Sequence, residues 1–283
     1  MTSSHRRTRL VVAAALVGAG LVLGSPVASP AKAYPGTHVN LTGHGWGHGR
    51  GMGQFGAQGY ATMHGWSYTQ ILNHYYSNTT MGTVGNDALS VHITRKDNQG
   101  VIVLNAAGYP GAVYVERIGA NSFRLQSGSG CGGPWGGTTV VAGPVNLSPN
   151  GGTQLGLCDP GAVVSYKGTF QVKDHDGSKL INFVGTEDYV KGVVPRESPS
   201  SFHIEALKAQ AVAARSYARA FDRDAPYAQQ CDTTRCQVYG GASGEAATTN
   251  AATDATAGQV RRLGNGSVAS TEFSSSTGGW TAG

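Results

Sequence analysis

Charge is scarce in this sequence. Asp, Glu, Lys and Arg make up 13% of its 283 residues. The formal net charge of +5 is largely carried by the first 33 residues, which hold Arg6, Arg7, Arg9 and Lys32 and no acid. Without them the balance falls by four to about +1, so composition makes no case for nucleic-acid binding. Long apolar runs are missing too. Beyond Gly24 no stretch approaches the ~20 residues that a membrane-spanning helix requires. There is no Walker loop, no His-Glu-x-x-His helix and no G-x-S-x-G elbow. Gly51-Met-Gly-Gln-Phe-Gly56 matches G-x-G-x-x-G formally, but no buried parallel strand precedes it. Cysteine is limited to Cys131, Cys158, Cys231 and Cys236. An even number leaves no lone thiol to act as a nucleophile.

Residues 1–33 read as a secretory signal. A basic start is followed by an uncharged apolar run from Leu10 to Gly24 and an Ala31-Lys32-Ala33 cleavage site. The mature chain is therefore expected to be exported, soluble and without a stable membrane span. Export favours disulfides: Cys131 with Cys158, tying down a glycine-rich loop, and Cys231 with Cys236 as a small closed ring. Two thiolate metal ligands at Cys231 and Cys236 are the alternative.

Glycine is abundant, 43 residues in all, and its pattern is the most informative feature. From Gly43 to Gly53 every second residue is glycine, and His44, Trp46, His48, Arg50 and Met52 stand between. An extended segment would project those five side chains from one face and leave the other bare. Such a strand fills a core poorly, but it suits a backbone that approaches a partner closely while rings and a cation contact it from one side. A carbohydrate fits that description. His44 and His48 would lie roughly 13 Å apart in a strand, too far to share a metal ion, although a turn could bring them together.

The rest of the chain reads as α+β. Ser67-Tyr-Thr-Gln70 is a capping box opening a short helix through Ile71, His74 and Tyr75. Val91/Ile93, Val101/Val103, Val113/Val115 and Phe170/Val172 alternate between Gly, Pro, Asn and Asp clusters, predicting several antiparallel strands. The Ser127–Gly137 stretch is too glycine-rich for a strand. Residues 180–195 read as a strand followed by a short turn or helix. Pro195 and Pro199 bracket Arg196, Glu197 and Ser198, which excludes ordinary helix there. One well-formed alanine-rich helix follows, with Ile204, Leu207, Ala211, Ala214, Ala218 and Phe221 as its apolar stripe. Ser200 or Ser201 is the expected cap, with Glu205 in the first turn. The tail is polar and ends without a closing element.

Glu197 is the acid to single out, because the flanking prolines hold its backbone stiffly. A general acid needs burial or a neighbouring acid to raise its pKa, and Arg196 would oppose that unless it points away. A solvated loop glutamate is the competing reading.

Tyr189-Val-Lys-Gly-Val-Val-Pro-Arg-Glu-Ser-Pro199, with Glu205-Ala-Leu-Lys-Ala-Gln-Ala-Val-Ala-Ala-Arg-Ser-Tyr-Ala218, resembles the stage II sporulation protein D (SpoIID/LytB) family. Cys236-Gln-Val-Tyr-Gly-Gly241 and Ser274-Ser-Ser-Thr-Gly-Gly-Trp-Thr281 continue the match in the same order. Members are known as peptidoglycan lytic transglycosylases and as enhancers of cell-wall amidases. The resemblance implies that Glu197 is the catalytic acid/base. The substrate-binding set that goes with it is His44, Trp46, His48, Arg50 and Gln54, then Lys208, Arg215 and Tyr239, then Ser275 and Ser276. No cofactor is implied beyond the zinc that some relatives carry near the segment matching residues 231–236. The family's G-H-G-x-G-M-x-Q-x-G-A and I-L-x-H-Y-Y segments usually follow the Ser-Ser loop, whereas here His48–Ala57 and Ile71–Tyr76 precede the catalytic region. That order resembles a circular permutation. The chain also stops just past Trp280, where members of the family continue, a pattern consistent with a fragment.

The expected organisation is a signal at 1–33, a glycine-rich His/Trp segment with a short helix at 34–85, a β-rich region at 86–175 and a SpoIID/LytB-like catalytic region at 176–283. The preferred activity is cleavage of glycan strands by one glutamate to leave 1,6-anhydromuramic ends, in a secreted, wall-associated protein. The rival is a non-catalytic glycan-binding module that enhances an amidase. A serine hydrolase ranks a distant third.

Overall fold

Period-two alternation builds most of the core. Val91, Ile93, Val101, Val103, Val113, Val115, Phe170 and Val172 are all buried, as their spacing predicts. The computed structural model describes residues 45–152 and 154–279. The expected signal, His44 and Trp280 lie outside them. All described residues belong to one unit, Gly43–Gly283.

The fold is α+β, with mostly antiparallel sheets. A six-stranded sheet runs in the order Ala162–Tyr166, Leu155–Asp159, Val101–Leu104, Ala112–Gly119, Ser122–Gly128, Trp135–Ala142. The last two strands reach into the stretch expected to be too rich in glycine, pairing Gly128 with Trp135. Cross-strand hydrogen bonding outweighs the entropy cost of glycine there. A five-stranded sheet runs Gln230–Cys231, Ala88–His92, Ser178–Gly185, Thr169–Asp174, Val145–Leu147. Both sheets contribute to one hydrophobic cluster with the helices that follow.

Five helices are described: α1 (Gln54–His64), α2 (Tyr68–Tyr75), α3 (Thr186–Glu197), α4 (Ile204–Ala220) and α5 (Ala247–Ala255). The capping box at Ser67 forms as expected, with Ser67 N–H donating to Gln70 Oε1 at 2.9 Å. Helix α3 departs from expectation because Pro195 lies within it. In a final turn proline removes only one donor. Ser198 N–H still reaches the Val194 carbonyl at 2.9 Å, closing the helix around the proline. Ser198 itself is extended, as a residue before proline should be, so the helix stops there.

Helix α4 is capped by His203 rather than Ser200 or Ser201. The His203 Nδ1 accepts from Glu205 N–H at 3.3 Å. Its predicted stripe enters the main core at Leu207, Ala211, Ala214 and Ala218, whereas Ile204 and Phe221 are exposed. A second face, Ala206, Ala209, Val212 and Ala213, packs with α1 and α2 residues in a separate cluster. Alanine permits both contacts, since it brings backbones close without side-chain entropy cost.

Three residues expected to bind substrate serve the scaffold instead. Arg215 is fully buried and forks onto Glu187, with Nε–Oε1 at 2.8 Å and Nη2–Oε2 at 2.6 Å. Its Nη1 also donates to the Gln259 carbonyl at 3.0 Å. Tyr239 is buried beside Tyr166 and Tyr189, and its hydroxyl donates to Asn182 Oδ1 at 2.9 Å. Lys208 pairs with Glu205 at 2.7 Å and lies over the Tyr68 ring. The face of α4 that carries Lys208 and Arg215 turns to neighbouring elements.

The glycine-rich segment is not an extended strand. Gly45, Gly47, Gly49 and Gly51 have φ of +98°, +104°, +70° and +66°. Its close partner is the chain's own C-terminal segment, where a Cβ at Gly45 or Gly51 would strike the Ser276 or Glu272 carbonyl oxygen. The tail therefore does close the fold. Phe273–Ser274 pairs in parallel with Met52–Gly53, and Trp46 bridges to Ser276.

Two outcomes follow from this packing. Arg215→Ala removes the counter-ion of the largely buried Glu187 and a donor to the Gln259 carbonyl, and should cost about 3–5 kcal/mol of unfolding free energy in a urea titration. Gly51→Ala combines a left-handed backbone, worth about 1–2 kcal/mol, with a backbone clash. Hydrogen exchange at the Met52 and Phe55 amides should accelerate in that variant, and unchanged exchange would show that the segment tolerates a side chain.

Candidate active site

Glu197 is the last residue of α3 and faces a cavity of about 700 Å³, within the range of small-molecule sites. Trp46, His48, Arg50, Gln54 and Phe55 come to it from the glycine-rich segment and the start of α1. Glu272 and Ser275 come from the C-terminal segment. Residues far apart in sequence thus meet because the two segments pair backbone to backbone. Phe55 N–H donates to the Ser275 carbonyl at 3.0 Å and Met52 N–H to the Glu272 carbonyl at 3.0 Å.

Burial raises the Glu197 carboxyl above its ordinary value, while the Val238 N–H, donating to Oε1 at 2.8 Å, pulls the other way. The Arg196 side chain packs against Gly240 and Gly244, where a Cβ would meet its Nε. It turns away from the carboxyl it adjoins in sequence.

A second acid, Glu272, lines the same cavity. Sequence reading missed it because a polar loop glutamate carries no local signal. Both of its oxygens are engaged by Arg50, Nη2–Oε1 at 2.9 Å and Nε–Oε2 at 2.8 Å. His48 Nδ1 accepts from Arg50 N–H at 3.1 Å, which in a neutral ring leaves the proton on Nε2. Gln54 is buried, with its amide 3.5 Å from Gln210 Oε1. Ser274, rather than Ser276, joins Ser275 at the cavity, and its buried hydroxyl has no hydrogen-bond partner. Ser276 lines an adjacent cavity instead.

Trp46 is 79% exposed and Phe55 57% exposed, so flat apolar surfaces stand at the rim. Tyr217 adds a third ring, with the Arg223 guanidinium 3.5 Å over its centroid. Tyr217 lies within the helix motif quoted above, so its presence had a sequence signal but its direction did not. Thr234, Arg235 and Cys236 complete one wall.

The cysteines pair as Cys131–Cys158 and Cys231–Cys236. With both sulfurs bonded to each other, Cys231 and Cys236 offer no thiolate. Among the described residues no group of three or more His, Cys, Asp or Glu side chains is placed to hold a metal ion. The zinc alternative does not fit these residues. A larger space of about 770 Å³, bordered by Tyr76, Arg219 and Phe221, carries no carboxyl, and His74, whose Nε2 lies 3.2 Å from the Tyr60 hydroxyl, is its one imidazole. No described helix is long and apolar enough to cross a membrane.

Residues 174–262 match the family described as Stage II sporulation protein, SpoIID. Over 93 residues the chain is 48% identical to the amidase enhancer of Bacillus subtilis strain 168, covering 32% of this chain and 12% of that protein. Over 129 residues it is 36% identical to an uncharacterized protein of Brachyspira hyodysenteriae, covering 42% of this chain and 33% of that protein. The chain thus spans a third or less of these relatives. No solved structure matches it. The matched stretch, about a third of the chain, carries α3 with Glu197, α4 and α5, and it is there that the chain is similar to the SpoIID family.

Proposed function

We propose that this protein acts on bacterial cell-wall glycan as a lytic transglycosylase, with Glu197 as its single acid/base. The observation that carries the reading is a half-buried carboxyl, raised by burial, in a cavity rimmed by exposed aromatic rings. Protonated Glu197 donates its proton to the glycosidic oxygen as the bond to the anomeric carbon breaks. The resulting carboxylate then takes the proton of the muramic-acid C6 hydroxyl, whose oxygen closes the 1,6-anhydro ring. The proton returns to Glu197 and no water is consumed. Trp46, Phe55 and Tyr217 offer faces for sugar rings, and Ser274 and Ser275 offer hydroxyls. Export, with the signal at residues 1–33, and association with the wall complete this reading. Two disulfides suit an oxidising compartment.

A second reading is that the chain binds glycan and stimulates a separate amidase. The similarity to a protein named amidase enhancer favours it. Peptide-free glycan strands separate the two, because only the enzyme yields anhydromuramic ends.

In Glu197→Gln the side chain keeps its shape but cannot donate and retrieve a proton. The cleavage rate should fall by about two to four orders of magnitude, with glycan affinity little changed. Asp188→Asn should be mild, since Asp188 sits in the first turn of α3 and pairs with Lys167 at 3.0 Å. Wild-type cleavage by Glu197→Gln would remove the assignment. Stability gives an independent check. A carboxyl raised in the folded state contributes stability fully below its unfolded pKa of about 4.3 and loses it as pH rises through the folded value. Glu197→Gln should therefore melt higher than wild type at pH 7, and the gap should close as pH falls below 4. A gap that widens in acid would show a carboxylate stabilised in place.

A further inference from the structure

A second cavity, of about 470 Å³, adjoins the Glu197 cavity. Phe55 and Ser275 line the first, and their chain neighbours Gly56 and Ser276 line the second. The two are thus consecutive along both α1 and the C-terminal loop. Gly56 and Gly59 sit three apart on one face of α1. At Gly56 the missing side chain admits the Tyr75 hydroxyl against the helix, whereas a Cβ at Gly59 would meet nothing within 4 Å. Gly59 therefore leaves a floor open.

The walls are aromatic and rigid. Tyr60 stacks on Trp66 with centroids 4.2 Å apart and planes within 6°. Its hydroxyl lies 3.2 Å from His74 Nε2, and His74 meets Tyr75 edge-on at 4.8 Å. Met63, 80% exposed, stands at the rim, and Thr277 adds a hydroxyl beside Ser276. No Asp, Glu, Lys or Arg lines this space. Burial pushes the Tyr75 phenol up to about 12, so it is a neutral hydroxyl at working pH. An anionic ligand would find no lysine or arginine here, only the imidazoles of His64 and His74, the latter already 3.2 Å from the Tyr60 hydroxyl, which disfavours a phosphate or a stem-peptide carboxylate. A ligand with a flat apolar face and a hydroxyl edge finds both of its partners.

We propose that this cavity is a distal, non-catalytic glycan subsite, holding an uncharged sugar unit of the strand whose neighbouring unit lies at Glu197. The proposal rests on the glycan-directed reading above but not on catalysis. It gives the protein a grip on long strands that short products lack.

The test uses the full chain in a Glu197→Gln background, so that binding is read without cleavage. Peptide-free glycan oligosaccharides of increasing length are titrated by calorimetry. Affinity should rise about tenfold, equivalent to about 1.4 kcal/mol, once the oligosaccharide is long enough to reach the second cavity. Gly59→Leu fills the open floor at a helical position where leucine is the better helix former, so folding is favoured. It should abolish the length-dependent gain and leave short-oligosaccharide affinity as it was. Met63→Ala, at an exposed position, should lower long-strand affinity by about threefold and short-strand affinity not at all. Equal length dependence in the parent and both variants overturns the subsite. Failure of the catalytic reading would show separately, as absence of anhydromuramic ends from the wild type.

Discussion

Four backbone hydrogen bonds hold the glycine-rich segment and the start of α1 against the C-terminal segment, and the cavity exists because of them. Trp46 and Ser276 exchange two, at 2.7 and 3.0 Å, and Met52 and Phe55 donate to the Glu272 and Ser275 carbonyls at 3.0 Å. Left-handed glycines let the two backbones come together where any Cβ would intrude. The Tyr76 hydroxyl donates to the same Glu272 carbonyl at 2.7 Å, which ties α2's end into the junction. Gly45 and Gly278 lie side by side here.

The junction is supported from below by α4. This helix is buried on two faces, one in the main core and one against Met52, Ala57, Ile71 and Leu72. Burial of that extent obliges its polar groups to find partners. Ser216 does so twice, donating to the Val212 carbonyl at 2.7 Å and accepting from Arg261 N–H at 2.8 Å. Arg261 in turn holds Thr79, with Nε–Oγ1 at 2.7 Å. The strand Gln259–Arg262 is thereby locked between α4 and Thr80–Thr83. Motif residues Arg215, Ser216 and Tyr239 serve this framework, which explains why a glycan-binding role assigned to Arg215 and Tyr239 by motif alone misplaces them.

The sequence made some features legible and hid others for definable reasons. Period-two alternation and the Ser67 capping box are local signals, and the structure follows both. The resemblance singles out Glu197, but the prolines beside it argue against the helix that α3 forms up to that residue. What failed was inference about direction. Alternating glycine predicts a one-faced strand only if φ stays negative, and four of these glycines adopt positive φ. Alanine carries too little hydrophobic contrast to reveal a second packed face on α4. Glu272, Phe55 and the open floor at Gly59 depend on long-range pairing that no window of sequence contains.

Two acids share the cavity, and their surroundings divide them. Glu197 ends a helix, where the partial negative charge of the C-terminus adds to burial in disfavouring its ionised form. Glu272 has both oxygens engaged by the fork of Arg50, which competes with any water for them. An ordinary glycosidase needs two working carboxyl groups, one to protonate and one to attack or to activate water. Here one carboxyl is raised by burial and the other is engaged in an ion pair with Arg50. On the reading proposed above, that division favours chemistry in which the substrate supplies its own nucleophile, because closure of an internal hydroxyl onto the anomeric carbon would ask only for the proton transfers assigned to Glu197.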